Sequence, residues 1–200
     1  MIKVKIIGIT GATGSGKSTL TKHIAQKGIP VIDADLLART VVQKDSICLQ
    51  SIVAVFGKDI LHNDGTLDRK ALARKAFSAK EETEKLNSIV HPFIIMETLK
   101  QIDVLRKKHN VILLDAPLLF ECHMDILCHD TIGVICDKAV RLKRIMKRDN
   151  LTEDEAKLRM GVQNDNNFYI ERSDFIIDGG KALEDVYFYA DGIMEKITER

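Results

Sequence analysis

A short glycine-rich segment carries the strongest chemical signal in this sequence. Residues 11–19 read GATGSGKST, which fits the pattern G-x-x-x-x-G-K-[ST] and follows a short apolar run. The glycines let the backbone curl so that successive N–H groups point at a polyphosphate. The lysine adds a point charge for the β- and γ-phosphates, and the hydroxyl after it suits Mg²⁺. The predicted nucleotide-binding residues are Gly11, Thr13, Gly14, Ser15, Gly16, Lys17, Ser18 and Thr19.

Two carboxylates that end apolar runs are candidates for the remaining chemistry. Asp115 closes the run VILLD, and we predict that it holds Mg²⁺ together with Ser18. Asp33 closes the run PVID, and we predict that it accepts the proton of an acceptor hydroxyl and orients that oxygen for in-line attack. The structural alternatives are a strand-end role for Asp115 and a helix N-cap for Asp33.

Three arginines near residue 145 form a third candidate group. Arg141, Arg144 and Arg148 are spaced i, i+3 and i+7, so they share one face of a predicted helix. Guanidinium groups on one face can converge on phosphate or stack on adenine. The alternative is a solvated basic face without a ligand.

Five short β-rich runs must position these residues. The runs alternate with helical patterns, which predicts an α/β fold with a parallel sheet flanked by helices. In such a sheet ligands bind beyond the carboxyl ends of the strands, where the glycine-rich loop and both carboxylates are expected. The predicted strands are 4–9, 30–33, 111–115, 131–136 and 174–178.

A long helical insertion interrupts the alternation. More than seventy residues separate the second and third strands, too many for one crossover helix. We predict a helix over 67–77, a second whose capping box pairs Ser78 with Glu81, and a third that begins at Pro92 and runs to about 108.

A second helical region follows the fourth strand. Thr152 and Glu155 form another capping box after the arginine-bearing helix, and a polar break is predicted at 164–167. We therefore predict one P-loop domain over 1–200, with a helical insertion at 57–109 and a helical lid at 138–170.

The amino-acid composition limits the classes of partner that we expect for this protein. The chain has 200 residues and a net charge of +1, so we expect neither nucleic acid nor a membrane as a partner. Four cysteines without a C-x-x-C pair suit free thiols in a reducing cytosol, which is the expected location. The Cys-His doublets at 122–123 and 128–129 leave zinc binding open, although their spacing matches no common zinc module.

The glycine-rich loop identifies the phosphate donor but not the acceptor. A GTP switch would carry N-K-x-D and a transporter ATPase L-S-G-G-Q, and neither motif occurs. What remains is a small kinase that acts on a free metabolite. Two alternatives stay open: a kinase of the same fold for a nucleoside, nucleotide or sugar, and a nucleotide-gated binding protein without transferase activity.

Taken in order, the motifs resemble those of the dephospho-CoA kinase family over nearly the whole chain. The resemblance is specific as a combination, since only the P-loop is strong by itself. The motifs that carry it are the P-loop, Asp33-Ala34-Asp35 with Ala38-Arg39, GTLDRKAL at 65–72 with Phe77, His91-Pro92, DAPLLFE at 115–121, Arg144, Arg148-Asp149, Arg159 with Gln163, and DFIID at 174–178.

The resemblance implies a reaction and its residues. ATP, used with Mg²⁺, would phosphorylate the ribose 3′-hydroxyl of dephospho-CoA, the last step of coenzyme A synthesis. Lys17, Asp33 and Arg144 would carry catalysis, and Arg148 would join the ATP site. A monomer or weak homo-oligomer is expected. The implied dephospho-CoA residues are Asp33, Arg69, Phe77, His91, Leu118 and Glu121.

Some of these positions have simpler alternatives, and two depart from the family pattern. Arg69 could be a solvated helix charge, and His91 could only end a helix before Pro92. Asn164 stands where the family commonly has proline, so the lid's trailing segment is expected to differ in shape. Gly179 stands where the family has asparagine, which removes a side chain that could contact adenine.

Overall fold

Five strands form one sheet in the computed structural model, which describes residues 4–199. The sheet order is β2-β3-β1-β4-β5, β1 pairs in parallel with β3 and β4, and β4 pairs in parallel with β5. The predicted α/β fold class is confirmed, and each predicted strand is found within one residue of its bounds. The strands are β1 (Lys5–Thr10), β2 (Val31–Asp33), β3 (Val111–Asp115), β4 (Asp130–Ile135) and β5 (Phe175–Asp178).

The sheet is buried by helices on its faces. Apolar residues of the central strands, such as Ile7, Ile9 and Leu113, are fully buried, as expected where both faces of a parallel sheet are covered. They share one core with α1 (Lys17–Gln26) and α9 (Leu183–Glu199). Because α1 begins directly after the glycine-rich loop, this core anchors the element that carries the loop.

Residues from Asp33 to Asp103 form a compact unit of their own, and the remaining described residues form the other. A separate apolar cluster, which includes Ile52, Phe56 and Ile60, stabilises it. The predicted helix over 67–77 is found, with Asp68 as its N-cap. The helices are α2 (Ala34–Thr40), α3 (Ile47–Phe56), α4 (Arg69–Ala76) and α5 (Lys80–Leu105), which extends two residues past the unit.

The prediction of two helices around Pro92 is wrong. A single helix, α5, runs through Pro92, and Ser78 does not cap it: the Ser78 hydroxyl donates to the carbonyl of Lys75 instead. Proline removes one backbone hydrogen bond from a helix interior. Residues on both sides of Pro92, including Val90 and Phe93, pack against the same apolar cluster, and this packing holds the helix continuous.

The predicted lid segment contains three helices, α6 (Lys138–Asp149), α7 (Glu153–Gly161) and α8 (Asn166–Arg172). The capping box of Thr152 and Glu155 is present at the start of α7. The predicted polar break is shorter than expected, because Asp165 caps α8 by accepting from the Phe168 N–H at 3.1 Å. Among the described helices, none is long and apolar enough to cross a membrane.

Candidate active site

The glycine-rich loop connects β1 to α1 and presents an open helix N-terminus. Gly14 and Gly16 have φ angles of 78° and 104°, a region that residues with a side chain rarely adopt. Gly16 is the N-cap of α1 and has no side chain, and the first turn contains no acidic residue. The backbone N–H groups and the positive end of the helix dipole therefore favour an anion here.

Ser15 shows that the loop fits a polar ligand. Only 1% of the Ser15 surface is exposed, and its Oγ atom finds no hydrogen-bond partner within the described residues. A buried hydroxyl without a partner is costly in a native fold unless something satisfies it. A phosphate oxygen in the loop would supply the missing partner, so the residues present fit a nucleotide.

Lys17 and Asp115 lie together at the carboxyl end of the sheet. The Lys17 ammonium pairs with Oδ1 of Asp115, and the Thr21 hydroxyl donates to Oδ2 at 2.9 Å. Both charged side chains are mostly buried. The pair keeps each charge compensated and holds the lysine over the loop, while Ser18 is exposed in the first turn of α1.

All three arginines of α6 contact the glycine-rich loop, so they are not a solvated face. Arg141 Nε donates to the Thr13 carbonyl at 3.0 Å, and Arg148 donates to the Thr13 hydroxyl at 3.1 Å. Arg144 donates to the carbonyls of Gly14 at 3.2 Å and Gly179 at 2.9 Å. Arg144 thus binds carbonyl oxygens of the loop in this structure, and its role toward phosphate stays a prediction.

The structure explains why position 179 is a glycine, which the sequence alone did not reveal. A Cβ atom at this position would lie 2.0 Å from the Ser15 carbonyl oxygen, far inside van der Waals contact. The segment after β5 therefore lies directly on the loop, and its carbonyl accepts from Arg144. Only glycine allows this approach, so the segment contributes backbone groups at this position.

Sequence reasoning missed two features of the site: the contacts of Gln163 with the loop, and the burial of Arg141. Gln163 Oε1 accepts from the Thr13 N–H at 3.0 Å and from Arg141 at 3.2 Å. Gln163 thus holds the N–H of Thr13, and Arg141 holds its carbonyl. The position of Arg141 one helical turn before the buried Ile145 was the available signal.

Glu121 and Leu118 lie in the segment after β3. Oε1 of Glu121 accepts from Asn164 at 2.7 Å, while Oε2 is buried without a partner within the described part of the chain. Asn164, which departs from the family pattern, therefore ties the end of the lid segment to this turn. Burial, and then the Glu121 charge, raise the pKa of Tyr169 to about 12. Leu118 is exposed.

The other predicted acceptor residues lie in the unit from Asp33 to Asp103. Asp33 Oδ1 accepts from the Leu36 N–H at 3.0 Å, so the aspartate does cap α2. Arg69 is exposed at the first position of α4, and Phe77 is exposed directly after that helix. His91 lies inside α5, so it does not end a helix.

The four cysteines are free thiols. Burial raises the pKa of Cys128 to about 12, with Asp125 and Asp174 adding to the effect. Across residues 4–199, no group of three or more His, Cys, Asp or Glu side chains is arranged to hold a metal ion.

Comparison with known sequences gives one consistent answer. The family model described as dephospho-CoA kinase matches residues 5–185. A dephospho-CoA kinase from Listeria innocua is 43% identical over 181 residues, which cover 90% of this chain and 90% of that protein. A dephospho-CoA kinase from Fusobacterium nucleatum is 38% identical over 198 residues, covering 98% of this chain and all of that one.

Solved structures agree with the sequences. A crystal structure from Thermus thermophilus has a TM-score of 0.81 at 29% identity and covers 97% of this chain and 98% of its own. A dephospho-CoA kinase from Campylobacter jejuni has a TM-score of 0.72 at 28% identity, covering 97% of each chain. Shikimate kinase from Bacteroides thetaiotaomicron, with a TM-score of 0.55 at 13% identity, shows the shared fold alone. As its motifs predicted, this chain belongs to the dephospho-CoA kinase family.

Proposed function

We propose that this protein transfers the γ-phosphoryl group of ATP to the ribose 3′-hydroxyl of dephospho-CoA, giving CoA and ADP. The observation that carries the proposal is an intact phosphate-binding loop in a chain matched by the dephospho-CoA kinase family over residues 5–185. The bond between the γ-phosphorus and the β,γ-bridging oxygen breaks, the 3′-oxygen bonds to that phosphorus, and the hydroxyl proton leaves.

The loop residues hold the donor phosphates in this proposal. The backbone N–H groups from Gly14 to Thr19 and the Ser15 hydroxyl donate to phosphate oxygens. Lys17 moves from Asp115 to the β- and γ-phosphates, where it neutralises charge that develops in the transition state. Arg144 and Arg148, already in contact with the loop, close the site from α6.

Ser18 and Asp115 are the residues that would hold Mg²⁺. Held by these two residues, the ion would supply positive charge that offsets the negative charge of the phosphate oxygens. The departure of Lys17 frees Oδ1 of Asp115, while Thr21 keeps Oδ2 in place. Since the protein offers few ligands, most of the coordination shell would be phosphate and water, as is usual for Mg²⁺.

The roles proposed for the dephospho-CoA residues follow from what the reaction requires. Asp33 accepts the proton of the 3′-hydroxyl and orients its oxygen, which matters most in a loose transition state. Glu121 retains a buried carboxylate oxygen that can accept a hydrogen bond from dephospho-CoA. The remaining residues proposed to bind dephospho-CoA are Arg69, Phe77, His91 and Leu118.

We also propose that the protein works in the reducing cytosol as a monomer or weak homo-oligomer, without nucleic acid or membrane partners. The free thiols and the net charge of +1 support this proposal.

A coupled assay of ADP release tests the function. Purified protein receives ATP and Mg²⁺ with one acceptor at a time: dephospho-CoA, a nucleoside, a nucleotide, a sugar or shikimate. We expect turnover with dephospho-CoA alone, with the product identified as CoA by mass. Turnover only with another acceptor would favour a different small-molecule kinase, and ATP consumption that ignores the acceptor would overturn the transfer reaction.

A further inference from the structure

Arg141 is a buried cation at the back of the phosphate-binding loop. Only 2% of its surface is exposed, although arginine is rarely buried without a charged partner. Its hydrogen bonds go to two neutral oxygens, the Thr13 carbonyl and the Gln163 side-chain amide. Within residues 4–199 no carboxylate pairs with it.

The burial of this charge has an electrostatic cost. Desolvation lowers the pKa of the Arg141 guanidinium, and Tyr169 and Cys136 offset the effect only in part. An arginine nevertheless stays charged at physiological pH. A buried charge without a counter-ion destabilises the fold, and an aliphatic or neutral replacement is often more stable. An anion bound at the loop would offset this cost.

The main chain of α6 lies directly on the loop beside this charge. A Cβ atom at Gly14 would lie 3.0 Å from the Arg141 carbonyl oxygen and 3.3 Å from the Arg141 Cα. Gly14 therefore lets the helix that carries Arg141 contact the loop through its backbone. The guanidinium itself lies against the loop, since its Nε is 3.0 Å from the Thr13 carbonyl oxygen. Because the side chain is buried, solvent screens its charge less than it screens an exposed one, so the charge acts on an anion in the loop.

We propose that Arg141 is a positioning residue of the phosphate-binding loop whose buried charge is compensated by the polyphosphate of the bound nucleotide. Arg141 and Gln163 hold the carbonyl and the N–H of Thr13, which fixes the start of the loop. The charge itself lies behind the loop and raises its affinity for phosphate. The inference rests on the proposed use of ATP at this loop, and it does not depend on the identity of the acceptor.

The test compares two variants that remove the unpaired charge in different ways. Arg141→Gln deletes the charge and keeps a planar polar end. Gln163→Glu keeps the arginine and places a carboxylate beside it, at the atom now 3.2 Å from the guanidinium. The matched control is Lys143→Gln, the same change of charge at an exposed position of α6.

Four quantities are measured: the melting temperature without nucleotide, the Kd for ATP with Mg²⁺ and no acceptor, and, with dephospho-CoA as the acceptor, kcat and the KM for ATP. We expect Gln163→Glu to melt at or above the wild-type temperature without nucleotide, because it gives the buried Arg141 charge a partner. The Kd for ATP of both variants should be weaker by tenfold or more, and the rise in melting temperature with ATP should shrink accordingly. The KM for ATP should rise more than kcat falls, and the control should match wild type.

A merely structural clamp would leave ATP binding unchanged. Arg141→Gln would then melt lower, because the Thr13 carbonyl loses its donor, while the Kd for ATP of both variants would stay near the wild-type value. An unchanged Kd in both variants would overturn the proposal. If Arg141→Gln fails to fold, the Kd of Gln163→Glu still decides the question, because glutamate has the shape of glutamine and can accept the same hydrogen bonds from Thr13 and Arg141. Wild-type protein that binds ATP but does not phosphorylate dephospho-CoA would refute the proposed function and leave this inference standing.

Discussion

At the scale of single residues, we propose that Lys17 contributes to both the fold and the reaction. Its ammonium pairs with the mostly buried Asp115, so Lys17→Ala removes a proposed phosphate ligand and also leaves that carboxylate with Thr21 alone. We expect kcat/KM to fall by at least ~10². We also expect a loss of about 1–3 kcal/mol of stability, because a buried charged group loses its partner. Steady-state kinetics and urea unfolding measure the two effects.

The control for Lys17 lies on the same helix. Lys22 is exposed on α1, so Lys22→Ala should change neither quantity appreciably. Near-normal turnover in Lys17→Ala would contradict the assignment of the loop.

Asp33 tests whether a helix cap can also be a catalytic group. Asp33→Asn keeps the oxygen that accepts from Leu36, and Asn and Asp cap about equally well. Because asparagine cannot accept the hydroxyl proton, we expect kcat to fall by roughly 10²–10⁴. The melting temperature and the Kd for ATP should barely change. Kinetics with dephospho-CoA, a thermal melt and ATP titration are made on one sample, and an unchanged kcat would reduce Asp33 to a cap.

At the scale of elements, the segment after β5 can lie against the glycine-rich loop because Gly179 has no side chain. Gly179→Ala places a Cβ atom where the Ser15 carbonyl now lies, so the two segments must separate. We expect a loss of about 1–3 kcal/mol, typical of overpacking, and weaker ATP binding because the contact from Arg144 to Gly179 is disturbed. Urea unfolding and ATP titration measure both.

A second glycine provides the matched control. Gly192 lies in α9 with no heavy atom within 4 Å of an added Cβ. Gly192→Ala should therefore stabilise the protein by about 0.5–1 kcal/mol, through helix propensity alone. If Gly179→Ala behaved like Gly192→Ala, the close approach of the two segments would be wrong.

The elements also show where sequence reasoning ends. Apolar runs located every strand, since a buried parallel strand is a continuous apolar segment. Pro92 was misread because a local signal for a helix start was overridden by packing on both sides of it. The burial of Arg141 could not be predicted, since its contacts with Thr13 and Gln163 join residues far apart in the sequence. The roles proposed for the site residues rest on motifs, which identify residue types but not distances.

At the scale of the whole molecule, acidic groups link stability to pH in one direction. Seven carboxyl groups within residues 4–199 have a pKa below its ordinary value, and hydrogen bonds from lysine, arginine, histidine, hydroxyl or backbone groups are the cause. A lowered pKa contributes stability that is present above the unfolded-state value and is lost as pH falls through the folded-state value. The groups are Asp59, Asp64, Asp68, Asp149, Glu153, Glu155 and Asp191.

Asp191 is the member of this group that joins distant parts of the chain. It lies on α9 and accepts from His23 of α1 at 2.7 Å and from Lys27, the residue directly after α1, at 2.5 Å. The His23 ring stacks on Tyr187 with centroids 3.9 Å apart. Partial burial raises the pKa of Asp191, but the bonds from Lys27 and His23 outweigh it, so the net pKa is lowered. These contacts thus join the end of the helix that follows the phosphate-binding loop to α9.

Asp191→Asn isolates the ionic part of this link. Since Asp191 is partly exposed, we expect the variant to lose about 0.5–1 kcal/mol at pH 7. That deficit should shrink as pH falls below about 4, the unfolded-state pKa of aspartate, because the wild-type carboxylate is then protonated as well. Urea unfolding between pH 7 and pH 3 measures it, with Glu195→Gln, an exposed carboxyl on the same helix, as control. A deficit that stays constant across this range would mean that Asp191 joins α1 and α9 by shape and neutral hydrogen bonds, and that charge contributes nothing to the link.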